Sequence, residues 1–172
     1  MPIELPMAWI VILNVTLWPL IQLSLAWGFL RLPGAWFDPP RTGFSFETRA
    51  FYERWLGIKH WKDRLPDGAR WLGGGFAKRD LAAVDPDYLR RFIQETWRGE
   101  LCHDCAFLFV PVFFLWNPWW GDLVIVAYAL AANAPCLLAQ RYNRLRLRRL
   151  LAKIAAQTAQ PRPLAQPPDS HS

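Results

Sequence analysis

From Met7 to Leu30 the chain runs 24 residues without a charged side chain. As an α-helix this run is about 36 Å long, enough for a hydrocarbon core of ~30 Å. Pro19 falls inside it, and a membrane helix tolerates such a kink better than a soluble one. Trp9 and Trp27 would stand about 27 Å apart along the axis, one at each interface. A secretory signal is the rival reading, with Ser24-Leu25-Ala26 as its cleavage site. The preceding flank holds Glu4 and no Lys or Arg, which is wrong for a signal and leaves a membrane helix as the expectation.

Two further apolar runs follow. Leu101 to Trp116 carries His103 and Asp104 near its start, and Gly121 to Ala139 is charged only at Asp122. Between them Asn117-Pro118-Trp119-Trp120-Gly121 is a turn with interfacial aromatics, so the pair predicts a membrane hairpin. The basic residues fix its direction. Of 20 Lys and Arg, 13 lie in 31–98 and 7 in 141–172, leaving none near the N-terminus or at the hairpin turn. The positive-inside rule then puts both basic segments in the cytoplasm. The net charge of +6 faces lipid headgroups, and nucleic acid is not needed to explain it. Three Cys among 172 residues exclude a dense disulfide framework.

The predicted fold class is an all-α membrane protein with three transmembrane helices and the N-terminus outside. The spans fall at approximately 7–30, 99–116 and 121–140, with a cytoplasmic amphipathic-helical insert at 31–98. Residues 1–160 form a single membrane domain, and the Pro-rich residues 161–172 a disordered tail. The expected localisation is the cell membrane, multi-pass, with the active site on the cytoplasmic side. Within the insert, Phe44 to Trp61 predicts an amphipathic helix or helix pair on the membrane surface, with Phe51, Trp55 and Ile58 on one face. Leu65-Pro66-Asp67-Gly68 is a turn signal. Gly73-Gly74-Gly75 lacks the strand and helix a phosphate loop requires. Asp85-Pro86-Asp87 starts a helix that runs on into the second span: an Asp cap, Pro at the first position and acid in the first turn.

On that helix Thr96, Glu100 and His103 share a stripe, with Asp104 at its flank. Glu95 lies three residues before Arg98 and can pair with it. Ionisable groups entering a span cost a few kcal/mol each to bury and are functional candidates. Asn133, Gln140 and Arg144 make a second stripe on the third span, at offsets close to whole helical turns. Folding the hairpin about residue 119 brings His103 near Asn133 and Arg98 level with Gln140, making one polar site at the cytoplasmic end. The outer Arg residues anchor the helix, and Arg141 and Arg144 line the site. Cys102-His103-Asp104-Cys105 has CxxC spacing, but a zinc site needs further ligands that the sequence does not pair with it. Neither metal nor organic cofactor is expected, and no nucleophile elbow, Walker motif or dinucleotide fingerprint occurs.

Five motifs in order carry a resemblance. They are Trp61-Lys62 with Leu65-Pro66-Asp67-Gly68; Lys78-Arg79; Glu95-Thr96-x-Arg98-x-Glu100-x-x-His103; Ala132-Asn133-x-Pro135; and Gln140-Arg141-Tyr142-Asn143-Arg144-x-Arg146. Over roughly residues 44–150 the chain resembles the glycosyl-4,4'-diaponeurosporenoate acyltransferase family. That family includes the enzyme of the last step of staphyloxanthin assembly, a small membrane protein that acylates the 6-hydroxyl of a carotenoid-linked glucose. The Cys pair around His103 and the triple Gly depart from the family pattern.

The resemblance implies acyl transfer from an acyl-CoA or acyl-carrier protein to a sugar hydroxyl of a glycosylated carotenoid or related glycolipid, among membrane lipids. A hydroxyl attacking a thioester needs a positioned base. His103 suits that role, with Glu100 as its orienter and Asp104 as the alternative. Lys62, Arg79, Arg98, Arg141 and Arg144 would neutralise the donor's phosphate and polarise its carbonyl. Asn133 and Gln140 would bind sugar hydroxyls, and Glu95 and Asn143 complete the expected substrate-binding set. A non-enzymatic membrane module binding a lipid or protein partner through the same site is the alternative. A membrane reductase or hydroxylase would need more His or a cofactor motif.

Overall fold

The computed structural model describes residues 2–40, 45–65 and 85–159, and these are all helix, turn and connecting chain, with no strand. Helix α1 (Met7–Arg31) contains Pro19 and ends where Leu32 turns extended ahead of Pro33. A 3₁₀ turn, Gly34–Phe37, follows. Helix α2 (Pro86–Phe107) starts as the sequence predicts, with the Asp85 carboxylate accepting the Asp87 N–H at 3.1 Å and Pro86 at the first position. A short helix α3 (Val110–Phe113) leads to α4 (Trp119–Ala159), which runs unbroken for 41 residues.

Two helices, α1 and α4, are long and apolar enough to cross a membrane, where the sequence predicts three spans. The predicted span at 99–116 is not one helix. It breaks at Leu108 and Phe109 because Pro111 has no N–H to offer the turn before it. Around α3 several bonds close three residues back: Leu108 N–H to Cys105 O, Val112 to Phe109, Leu115 to Val112. With a rise between about 1.5 and 2 Å per residue over this mixed path, 99–117 still extends for roughly 30 Å. α4 likewise continues well past the predicted end of the third span at residue 140.

The three segments lie side by side. At one end Ile10, Trp18, Val110, Phe113, Trp116, Ile125 and Ala129 form a core. Beside it Asn14 donates to Asn117 Oδ1 at 2.8 Å, and the Trp116 indole donates to Asn14 Oδ1 at 2.9 Å. At the other end Leu89, Ile93 and Leu147 hold α2 against α4. In mid-length Gly99 lets the helices close up, since a Cβ there would lie 2.9 Å from Gln140 Nε2.

The predicted amphipathic helix or helix pair at 44–61 is not formed as such over its described part, where only 49–55 is helical for more than one turn. One π-type turn, Phe51–Trp55, is followed by Gly57 at φ 54° and two 3₁₀ turns, Ile58–His60 and Lys62–Arg64. The left-handed Gly57 reverses the chain and splits the expected face. Tyr52 and Ile58 turn inward onto Tyr142 of α4, whereas Trp55 stays 81% exposed. Phe44, the turn signal from Pro66, the triple Gly and the Pro-rich tail lie outside the described residues.

Candidate active site at the α2–α4 crossing

Four polar side chains are buried among the described residues: Thr96, Glu100, Asn117 and Asn133. Three of them lie on the two stripes expected from the sequence. Thr96 turns its hydroxyl back onto Ile93 O at 2.6 Å. The other two organise the site.

Asn133 is fully buried and serves three helices. Its Nδ2 donates to Ala129 O at 2.9 Å, one turn back on α4. Its Oδ1 accepts from Gln22 Nε2 of α1 at 3.0 Å and lies 2.8 Å from His103 Nδ1 of α2. A backbone carbonyl only accepts, so Nδ2 must face Ala129 and Oδ1 must face the imidazole. Oδ1 in turn only accepts, so His103 Nδ1 carries the hydrogen. Nε2 is left with the lone pair.

Glu100 does not orient His103. Its two oxygens are taken by arginines of α4: Arg141 Nε donates to Oε1 at 2.6 Å, and Arg144 Nη2 bonds Oε2. The expected orienting contact is made by Asn133 instead. The spacing of three along α2 would let Glu100 meet His103, but two guanidiniums from α4 take both of its oxygens as charge-assisted bonds. Arg144 also covers the Trp97 ring at 5.0 Å. Its Nη1 is buried with no hydrogen-bond partner.

Arg141 has a second acid, Glu47 Oε1, at 3.1 Å from Nη1, and the Tyr52 hydroxyl donates to that same oxygen at 3.0 Å. Burial and the neighbouring Glu47 charge raise the Tyr52 pKa, which keeps the phenol protonated as a donor. Nearby Tyr142 donates to Glu53 Oε1 at 2.7 Å, Arg49 Nε reaches that oxygen at 2.6 Å, and Lys59 holds Oε2 at 2.8 Å. These donors, Lys59 first, hold the Glu53 carboxyl at about 2.

The structure thus joins His103 to Asn133 and Glu100 to Arg141 and Arg144, with Gln140 between them against Gly99. Other expected site residues point elsewhere. Arg98 bonds both oxygens of Glu95, donates to Leu32 O at 3.1 Å and covers Phe37, fastening α2 to the chain leaving α1. Lys62 pairs with its neighbour Asp63. Asn143 lines a separate hollow with Phe92, Arg146, Leu147 and Leu150. Arg79 lies outside the described residues. Gln22, Glu47, Tyr52, Glu53 and Tyr142 were not anticipated as parts of this network. Only Gln22, one of two amides in an apolar run, and Tyr142, within the third-span motif, carried a signal in the sequence. No group of three or more His, Cys, Asp or Glu able to hold a metal ion occurs among the described residues.

In an all-helical frame, where α2 packs on α4, buried Asn133 and Glu100 gather the part-buried His103, Arg141 and Arg144 into one polar network. The family of glycosyl-4,4'-diaponeurosporenoate acyltransferases matches residues 33–153. Two relatives of that name, from Staphylococcus aureus strains bovine RF122 / ET3-1 and USA300, are each 32% identical over 138 residues, 78% of this chain and 83% of theirs. No solved structure matches. The chain belongs to the glycosyl-4,4'-diaponeurosporenoate acyltransferase family, enzymes of acyl transfer.

Proposed function

We propose that this enzyme moves a fatty acyl group from a phosphopantetheine thioester to a sugar hydroxyl of a glycosylated carotenoid or related glycolipid, with His103 as general base. The relatives' name supplies the acceptor class. The carrying observation is the 2.8 Å contact of His103 Nδ1 with Asn133 Oδ1, which in the neutral imidazole leaves Nε2 as the basic nitrogen. In the reaction Nε2 takes the hydroxyl proton as the oxygen attacks the thioester carbonyl carbon. The tetrahedral intermediate collapses, the C–S bond breaks, and the leaving thiolate takes the proton back from Nε2. Arg141 and Arg144 supply positive charge for the donor's phosphate and for the developing oxyanion.

The reading includes embedding in the cell membrane with three passes and the N-terminus outside. α1 and α4 are two passes, and the extended path from Gly99 to Asn117 is the third. The basic half of α4 then meets water on the cytoplasmic side, where a soluble donor meets a lipid acceptor.

Lipid mass spectrometry of cells making wild type or His103→Ala at equal membrane abundance tests the chemistry. Loss of a general base lowers turnover by roughly 10²–10⁴-fold, so the acylated glycolipid should all but vanish. A His103→Gln protein as active as wild type would remove His103 from the mechanism. Function retained in His103→Ala would favour the non-enzymatic module.

A further inference from the structure

Arg141 stands between two carboxylates of different character. Glu100 is 2% exposed, sits on α2 and grips both arginines. Glu47 precedes Thr48, whose hydroxyl accepts the Phe51 N–H at the start of the helical turn over 49–55, and its side chain is 13% exposed against 3% for that of Glu100. The Arg141 side chain is itself 27% exposed, so its Glu47 side is within reach of water.

The charges at this place conflict with its use. Two guanidiniums here pair with the carboxylates of Glu47 and Glu100, and the charge of a third acid, Asp104, also acts on both arginines. An anionic donor gains little from a neutralised pair, and an added anion beside Glu47 would be repelled. Stripping Arg141 of an anion would leave a partly buried charge uncompensated. Exchange of one anion for another avoids both costs. Glu47 is the carboxylate able to leave: its side chain is the more exposed of the two, and its 3.1 Å contact is longer than the 2.6 Å contact of Glu100. Its departure also frees the Tyr52 hydroxyl as a second donor.

We propose that the position on Arg141 now held by the Glu47 carboxylate is the subsite for the donor's phosphate, with Glu47 a placeholder that the phosphate displaces. The inference rests on the thioester-donor reading above and deepens it by naming the group bound and the residue it replaces. A phosphate offers the guanidinium fork two oxygens in the geometry of a carboxylate. Coenzyme A and the prosthetic arm of acyl-carrier protein both carry such a phosphate.

Calorimetric titration of the full chain in detergent micelles, with coenzyme A and separately with holo acyl-carrier protein, tests this without turnover. Glu47→Gln keeps the shape and the acceptor oxygen but removes the competing charge. Binding should tighten about fivefold, the size of a partly exposed ion pair. Tightening with coenzyme A alone identifies a soluble thioester donor, and tightening with the carrier alone identifies the carrier. In the Glu47→Gln background Tyr52→Phe should weaken binding, because the freed hydroxyl is then a donor to the phosphate. In an Arg141→Gln background, Glu47→Gln should change nothing. Unchanged or weaker binding of both probes by Glu47→Gln would overturn the proposal. An active His103→Ala protein would refute the base assignment and leave these binding constants untouched, so the two failures are separable.

Discussion

Asn133 uses both ends of its amide, one on its own helix and the other on side chains from two neighbours. Asn133→Leu would leave Gln22 and the His103 Nδ1–H without an acceptor and let the imidazole turn or change tautomer. Turnover should fall roughly ten- to a hundredfold, the usual scale when a group that orients a functional His is lost, while the protein still inserts. Steady-state kinetics on membranes with matched protein content would show this as a loss in kcat. His103, Glu100 and Asn133 were legible because polar residues stand out in apolar runs and helical spacing put them on facing stripes. Their pairing was less so. Glu100 lies three residues before His103, and spacing alone favoured a contact that two arginines took instead. Nothing in the sequence marked Glu47, because irregular chain has no period from which a facing partner can be inferred.

At the scale of elements, α2 and α4 meet most closely at Gly99, and the group in the way of a Cβ is the end of the Gln140 side chain. A flexible amide can move where backbone cannot. Gly99→Ala should therefore keep the fold, with a helix-propensity gain of up to about 1 kcal/mol against the crowding. It should displace Gln140 and raise the acceptor KM. Gly99→Leu should separate the helices and lower the thermal midpoint of the detergent-solubilised protein. The run 45–65 is fastened differently, by Tyr142, Arg49 and Lys59 around Glu53. The Glu53 carboxyl is held at about 2 against an ordinary 4.5, so the folded state favours its ionised form. That stability is present above pH 4.5 and is lost as pH falls from about 4.5 towards about 2. Limited proteolysis across this window should show 45–65 released first, and Glu53→Gln should be cleaved there already at neutral pH. The start of α2 was legible to the residue from Asp85 and Pro86. The helix expected at 44–61 was not formed, because its apolar spacing was equally compatible with turns that bury Tyr52 and Ile58 against α4.

For the whole molecule, the separation of charge from apolar sequence foretold an all-helical protein and which ends of its helices gather together. It did not foretell that the segment 99–117 would be broken, since that depends on Pro111 and local turns. A reporter fused near Asn117 should be extracytoplasmic and one after Arg149 cytoplasmic, and the opposite labelling would refute the proposed topology. The unbroken length of α4 carries a further consequence. At 41 residues it measures about 60 Å, twice a hydrocarbon core, so on the proposed membrane reading half of it stands clear of the lipid. His103 and the arginines lie around the middle of that rod, where its two halves part company. On the proposed reading the spent thiol is released into water and the new ester stays in oil. Each product thus leaves through the phase that dissolves it, and the sorting of products is accomplished by where the helix emerges.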